Sequence, residues 1–170
     1  MTTSEDQNAI VPLIAYDVDD NSLSFSLAND ATDGSVIIDG SVATYTPNQD
    51  FNGSDSFTFV VSDGELTDTA SVTLTITPIN DTPVLEAISD IIFDEDQITS
   101  ISLLGIDVDN EELSYSITSG TDIIANLSEN EVIFSAPANF NGSESFTATV
   151  SDGELVASQS FTIIVNAIND

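Results

Sequence analysis

The chain has 170 residues, room for one large domain or two of about 85, and its 30 acidic residues face no Lys, Arg or His, for a formal charge of −30. A surface of that sign repels phosphate, which excludes nucleic acid as a partner and direct membrane insertion or contact with anionic lipid, unless a cation bridges the two. Without His or Cys there is no zinc or copper site of the usual kind, no thiol nucleophile and no imidazole base, and without Lys no Schiff base.

Apolar residues make up 41% of the chain, too many for a disordered acidic tail, so it is expected to fold. Its acids have no basic side chain to pair with. Two carboxylates ~5 Å apart at an effective dielectric of ~20 repel by roughly 3 kcal/mol, and a few such pairs would equal a domain's whole stability of about 5–15 kcal/mol. If the acids cluster, a cation must be a structural component. Met1–Asp20 carries no basic start followed by an apolar core and cleavage site, and no apolar run approaches the ~20 residues of a membrane span. The chain therefore reads as a segment of something larger.

Taken from its start, the sequence repeats itself. Glu5-Asp6-Gln7 recurs as Glu95-Asp96-Gln97, and Asp17-Val18-Asp19 as Asp107-Val108-Asp109. Phe51-Asn52-Gly53-Ser54 recurs as Phe140-Asn141-Gly142-Ser143, Val61–Leu66 as Val150–Leu155, and Ile79-Asn80-Asp81 as Ile168-Asn169-Asp170. Two units follow, residues 1–81 and 82–170. Within each, apolar residues alternate with Ser and Thr: Leu23, Phe25, Leu27; Phe57, Phe59, Val61; Val72, Leu74, Ile76; and in copy two Leu113, Tyr115, Ile117; Phe146, Ala148, Val150; Phe161, Ile163, Val165. Period two marks strands with one buried face, and no stretch has helical spacing with caps. The spacing predicts, in copy two, strand A near Ile91–Phe93, B near Ile98–Leu104, C near Leu113–Ile117, D near Ile123–Leu127, E near Val132–Ser135, F near Ser145–Val150 and G near Ser158–Val165. The expected fold is all-β, two tandem immunoglobulin-like antiparallel sandwiches. Copy one has only Met1–Ser4 ahead of Glu5, so its strand A is expected to be largely missing, either because the chain is part of a longer array or because a neighbouring chain supplies the strand.

In strands that run alternately up and down, successive connections alternate between the two ends. The B–C and F–G connections share the upper end, which collects Asp17, Asp19 and Asp63 in copy one and Asp107, Asp109 and Asp152 in copy two. The lower end collects Glu5, Asp50, Asp55, Asn80 and Asp81 in copy one, and Glu95, Glu144, Asn169 and Asp170 in copy two. Head-to-tail stacking through Pro78–Pro83 would bring Glu5, Asp50, Asp55, Asn80 and Asp81 against Asp107, Asp109 and Asp152. Such an oxygen-only set suits Ca²⁺, which takes 6–8 oxygens in flexible geometry, better than Mg²⁺.

The Glu before strand B, the Asp-Val-Asp triplets, the Ser-Asp-Gly-Glu turns and Ile79-Asn80-Asp81-Thr82-Pro83 at the link together resemble the cadherin superfamily, specifically the bacterial cadherin-like tandem repeats of large secreted adhesins, including the RTX type. The resemblance spans nearly the whole chain and implies a cadherin-like fold in which Glu5, Asp81, Asp107, Asp109 and Asp152 chelate inter-repeat Ca²⁺, with Asn80 offering its main-chain oxygen. Against the animal pattern, Pro78 stands where an acid opens the link and Thr82 where Asn closes it, so one or two ions per junction are expected.

Other readings of the same residues are weaker. Asp17–Asn21 is not an EF-hand, because Ser22 replaces the required Gly. Asn52-Gly53-Ser54 and Asn141-Gly142-Ser143 match the glycosylation pattern, but their recurrence at one loop points to turn geometry, and Phe51 and Phe140 are expected to plug the foot of each sandwich. An acid pair is the chemistry of glycoside hydrolysis, yet with no Trp and no basic residue to shape a sugar cleft no enzyme is expected. The leading expectation is a calcium-rigidified spacer on a bacterial surface or in a secreted adhesin, its partners being neighbouring repeats. The alternatives are a calcium-dependent module binding glycan or another adhesin copy, and a subunit of an extracellular filament assembled by strand complementation.

Overall fold

The computed structural model describes residues 1–19, 22–109 and 112–169. They form two compact units, Met1–Ile79 and Asn80–Asp170, so the boundary lies just ahead of the expected 81/82, and Asn80 and Asp81 fold with the second unit.

Unit 1 contains β1 (Thr2–Ser4), β2 (Ala9–Pro12), β3 (Ser24–Asn29), β4 (Gly34–Asp39), β5 (Val42–Pro47), β6 (Gly53–Ser62) and β7 (Thr67–Thr77). One sheet runs β1-β7-β6-β3 and the other β2-β5-β4. The period-two pattern sets which faces meet: Ala9 and Val11 of β2, Ala43 and Tyr45 of β5, Phe57 and Phe59 of β6, and Leu74 and Ile76 of β7 are buried in one core. Intervening Ser and Thr take the wet face, where small and β-branched polar residues fit a pleated surface. Pro12 is tolerated because β2 is an edge strand.

Unit 2 contains β8 (Val84–Leu85), β9 (Ile91–Asp94), β10 (Ile98–Ser102), β11 (Gly105–Ile106), β12 (Ser114–Ile117), β13 (Ile124–Ser128), β14 (Glu131–Ser135), β15 (Gly142–Ser151) and β16 (Val156–Asn166). Its sheets are β12-β15-β16-β9 and β10-β14-β13, with β11 and β8 forming a small third ladder. Phe134 packs edge-on against Phe146 and Phe161, with ring centroids 5.3 and 6.0 Å apart. Phe51 and Phe140 pack against their own cores, as plugs rather than exposed stacking platforms.

Every predicted strand of unit 2 is present. The sequence reading missed the division of the first strand: β8 pairs antiparallel with β11, whereas β9 pairs parallel with β16. A chain that changes sheets midway has no single alternation to read. Unit 1 does contain the second half of this strand, β1, paired parallel with β7; among its described residues no segment corresponds to β8.

Candidate metal centre

The upper end of unit 2 is built by two turns. Ser151-Asp152-Gly153-Glu154 closes β15 onto β16: Asp152 Oδ1 accepts the Glu154 and Leu155 N–H groups at 2.7 and 2.6 Å, and Ser151 Oγ accepts the Gly153 N–H at 3.1 Å. Those donors, that of Leu155 first, hold the Asp152 carboxyl below its usual pKa. Gly153 has φ +106°, a region that costs an L side chain about 1–2 kcal/mol. Gly153→Ala is therefore expected to lower the urea midpoint by an amount equivalent to about 1–2 kcal/mol.

The second turn is Asp107-Val108-Asp109, in which Asp107 Oδ1 accepts the Asp109 N–H at 2.9 Å. The start of the unit is drawn onto both turns. Asp81 N–H donates to Asp109 Oδ2 at 2.8 Å, and Asn80 Nδ2 donates to Asp152 Oδ2 at 2.8 Å. Asn80 with Asp152, Asp81 with Asp109, and Asp109 with Asp107 are thus joined by hydrogen bonds within a single unit. Asp107 Oδ2 is buried with no hydrogen-bond partner among the described residues, an arrangement that costs the full desolvation of a charged oxygen unless a cation faces it.

The upper end of unit 1 repeats the turns. Asp17 Oδ1 accepts the Asp19 N–H at 2.8 Å, and Asp63 Oδ1 accepts the Leu66 and Glu65 N–H groups at 2.7 and 2.8 Å, which holds the Asp63 carboxyl low. Asp17 and Asp19 are exposed.

At the lower ends, Glu5 is only 1% exposed. Its Oε1 accepts the Ile79 N–H and its Oε2 the Asn52 amide at 3.4 Å. Glu95 does the same for unit 2, accepting the Ile168 N–H at 2.7 Å. Each glutamate fixes the exit of the last strand. Asp50 N–H donates to Asp6 Oδ1 at 3.3 Å, and the equivalent Asn139 N–H to Asp96 Oδ1 at 3.3 Å; Asp6, Asp50, Asp96 and Asn139 all have positive φ. Asp6 and Asp96 thus tie down a loop, a role that composition concealed, since each sits in an acidic run that reads as solvated charge. Their recurrence within the repeated Glu-Asp-Gln run just ahead of a strand was the available signal. Asn169 is exposed, and Asp170 lies outside the described residues.

Asp55 and Glu144, expected as ligands, have other tasks. Asp55 lies on β6 with 6% exposure and accepts from Thr32 N–H (3.1 Å), Asp33 N–H (3.0 Å), Ser56 N–H (2.8 Å) and Tyr45 O–H (3.0 Å). Burial pushes its pKa up, but these donors outweigh burial and leave it below 3.8; burial and the same bond raise the Tyr45 phenol. Glu144 likewise accepts from Thr121 and Asp122 N–H at 2.9 and 2.7 Å. Both carboxylates anchor the loop after the third main strand. Because the folded-state pKa of Asp55 lies below its unfolded value, its contribution is fully present above pH 3.8 and is lost as pH falls below that toward the folded value. The urea midpoint should drop as pH falls below 3.8, and less steeply in Asp55→Asn than in the parent chain.

The family profile described as bacterial Ig domain matches residues 1–75 and 80–165. Among curated proteins no relative matches. Among solved structures, human protocadherin-24 EC1-2 is 16% identical with a TM-score of 0.59, over 100% of this chain and 94% of that one, which shows a shared fold. Drosophila N-cadherin EC1-4 is 14% identical, TM-score 0.45, over 99% of this chain and 48% of that one. An endo-fucoidan hydrolase from glycoside hydrolase family 107 is 19% identical, TM-score 0.40, over 99% of this chain, which spans 28% of that enzyme's length.

Proposed function

The chain belongs to the bacterial Ig domain family, as two tandem copies, and from that premise we propose that it is a calcium-dependent structural spacer, an extender segment of a bacterial cell-surface or secreted adhesin. Support comes first from Asp107 Oδ2, a buried carboxylate oxygen with no hydrogen-bond partner among the described residues, in a chain without a single basic side chain. The neighbouring donors are all oxygen, the preference of a hard cation that takes 6–8 ligands in flexible geometry. The residues therefore fit Ca²⁺. Asp81, Asp107, Asp109 and Asp152 would hold it with the main-chain oxygen of Asn80.

The ion would supply positive charge and a crosslink between oxygens that otherwise repel. The chain's own part is positional. The two turns fix the carboxylates of Asp107, Asp109 and Asp152 before any ion arrives, so little conformational entropy is lost on binding. Glu5 and Glu95 hold the strand exits that lead into each link. Extracellular calcium at millimolar levels fills sites with dissociation constants of ~10⁻⁴–10⁻³ M, and a filled link is stiff enough to project a terminal binding domain. Small-angle scattering with and without EGTA tests this: calcium should sharpen the maximum dimension, and identical profiles would refute the spacer reading.

A further inference from the structure

The outward face of each three-stranded sheet is aliphatic. In unit 1 the register sets Ile10 and Ile37 on either side of Thr44, with Val42 two residues along the central strand β5. In unit 2 it sets Ile98 and Ile124 on either side of Ser135, with Ile133 two residues along the central strand β14. All six aliphatics are between 38% and 72% exposed. Each face thus carries a triangle of β-branched side chains, with a notch over the small hydroxyl residue between its two flanks.

The triangle is not a by-product of the repeat. With the strands of the two units aligned, the positions of Ile10, Ile37 and Val42 hold Ser100, Asn126 and Glu131, and those of Ile124 and Ile133 hold Ser35 and Thr44. The same figure is built twice from different positions, one row apart. Nor is it the general manner of this chain's wet surfaces. The outward positions of β15 are all Ser or Thr, and on that opposite sheet the hydroxyls of Thr147 and Thr149 bond those of Ser160 and Ser158 at 2.9 and 2.7 Å.

An apex and a notch two residues apart on one strand complement themselves about a two-fold axis lying across the strands. The apex of each copy enters the notch of the other, as the inner faces of stacked sheets interdigitate ~10 Å apart. Charge points to the same partner. In a chain of formal charge −30, copies meet most readily where carboxylates do not face one another. The notch and apex rows of unit 2, Ile98-Ser135-Ile124 and Ser100-Ile133-Asn126, hold no acid, and those of unit 1 hold one, Asp39, at the sheet edge.

We propose that the three-stranded face of each unit is a self-association surface, on which the same face of a second copy of this chain docks, Ile133 over Ser135 in unit 2 and Val42 over Thr44 in unit 1. Three strands ~4.8 Å apart and five residues of ~3.4 Å make a face of roughly 250 Å², so the two faces of each chain, both engaged, bury about 1,000 Å² in total, the range of weak and reversible contacts. The association needs no calcium. Because both partners are polyanions, it tightens as salt screens them.

The test is sedimentation equilibrium of the full 170-residue protein in EGTA, at low and high NaCl and up to millimolar chain. Reversible association should appear and tighten with NaCl. Ile133→Thr and Val42→Glu each install the residue type that the other unit carries at the matching position, so circular dichroism should show the fold kept. Each should weaken association, and the pair together by about tenfold or more, whereas Thr149→Ala on the opposite sheet should leave it unchanged. The proposal is overturned by a monomer under every condition, by equal association of the double variant, or by a loss as large in Thr149→Ala. It is also overturned by association that calcium supports and EGTA abolishes, since ion-bridged carboxylates would then hold the copies together.

Discussion

Transfer from 1 mM calcium into EGTA is expected to lower the melting temperature of the protein by roughly 10 °C. The size follows from mass action: at 1 mM Ca²⁺ a site with a dissociation constant near 10⁻⁴ M stabilises the folded form by about 1.4 kcal/mol, and two such sites by about 3 kcal/mol. For domains of this length about 1 kcal/mol moves the midpoint by 4–8 °C, and partial coupling of the sites gives the lower end of the range. The direction rests on charge. Asp107, Asp109 and Asp152 of the upper cluster each accept from backbone donors and the chain has no basic side chain to pair with them, so removing a bound ion would leave their like charges to repel. Raising NaCl should recover part of the loss in EGTA, because screening weakens the repulsion but does not replace the crosslink.

Asp55→Ala is expected to destabilise unit 1 by about 3 kcal/mol, read from urea unfolding at pH 7. The substitution strands four donors, the N–H groups of Thr32, Asp33 and Ser56 and the phenol of Tyr45. Tyr45 is fully buried, so its hydroxyl cannot turn to water and keeps only the long bond to Asp33 O at 3.4 Å; an unmet buried polar group costs about 1–3 kcal/mol. The backbone donors at Thr32 and Asp33 are nearer solvent and recover part of their loss. In unit 2, Phe134 takes the place of Tyr45, and Glu144 is only half-buried with two loop donors. Glu144→Ala should therefore cost about 1 kcal/mol. Equal effects of the two substitutions would mean that Tyr45 adds nothing to this network.

Much of the fold was legible because the two copies expose the same period twice. Phe57, Phe59 and Val61 alternate, Phe146, Ala148 and Val150 alternate in register with them, and all but the half-buried Val61 line cores. The parity of the connections was legible too, since a turn sequence such as Ser151–Glu154 has one backbone solution and strands must alternate ends. What could not be read was the use of a carboxylate. Asp55 and Asp50 look alike in sequence, both in an acidic loop beside a Phe-Asn-Gly turn, yet one is buried beneath Tyr45 and the other caps nothing with its side chain that the sequence could foretell. That difference depends on which loop folds back over β6, a contact between residues more than twenty apart. The role of β8 was equally hidden, because two paired residues carry no periodicity.

Calorimetric titration of calcium into the metal-free protein, run beside Asp107→Ala, tests most directly whether a cation answers the buried oxygens of the upper cluster. Calcium binding there predicts saturable uptake in the 10⁻⁴–10⁻³ M range that falls at least tenfold in the variant while its fold, by circular dichroism, is kept. Absence of saturable heat in the parent chain, or identical isotherms for the two proteins, would contradict it.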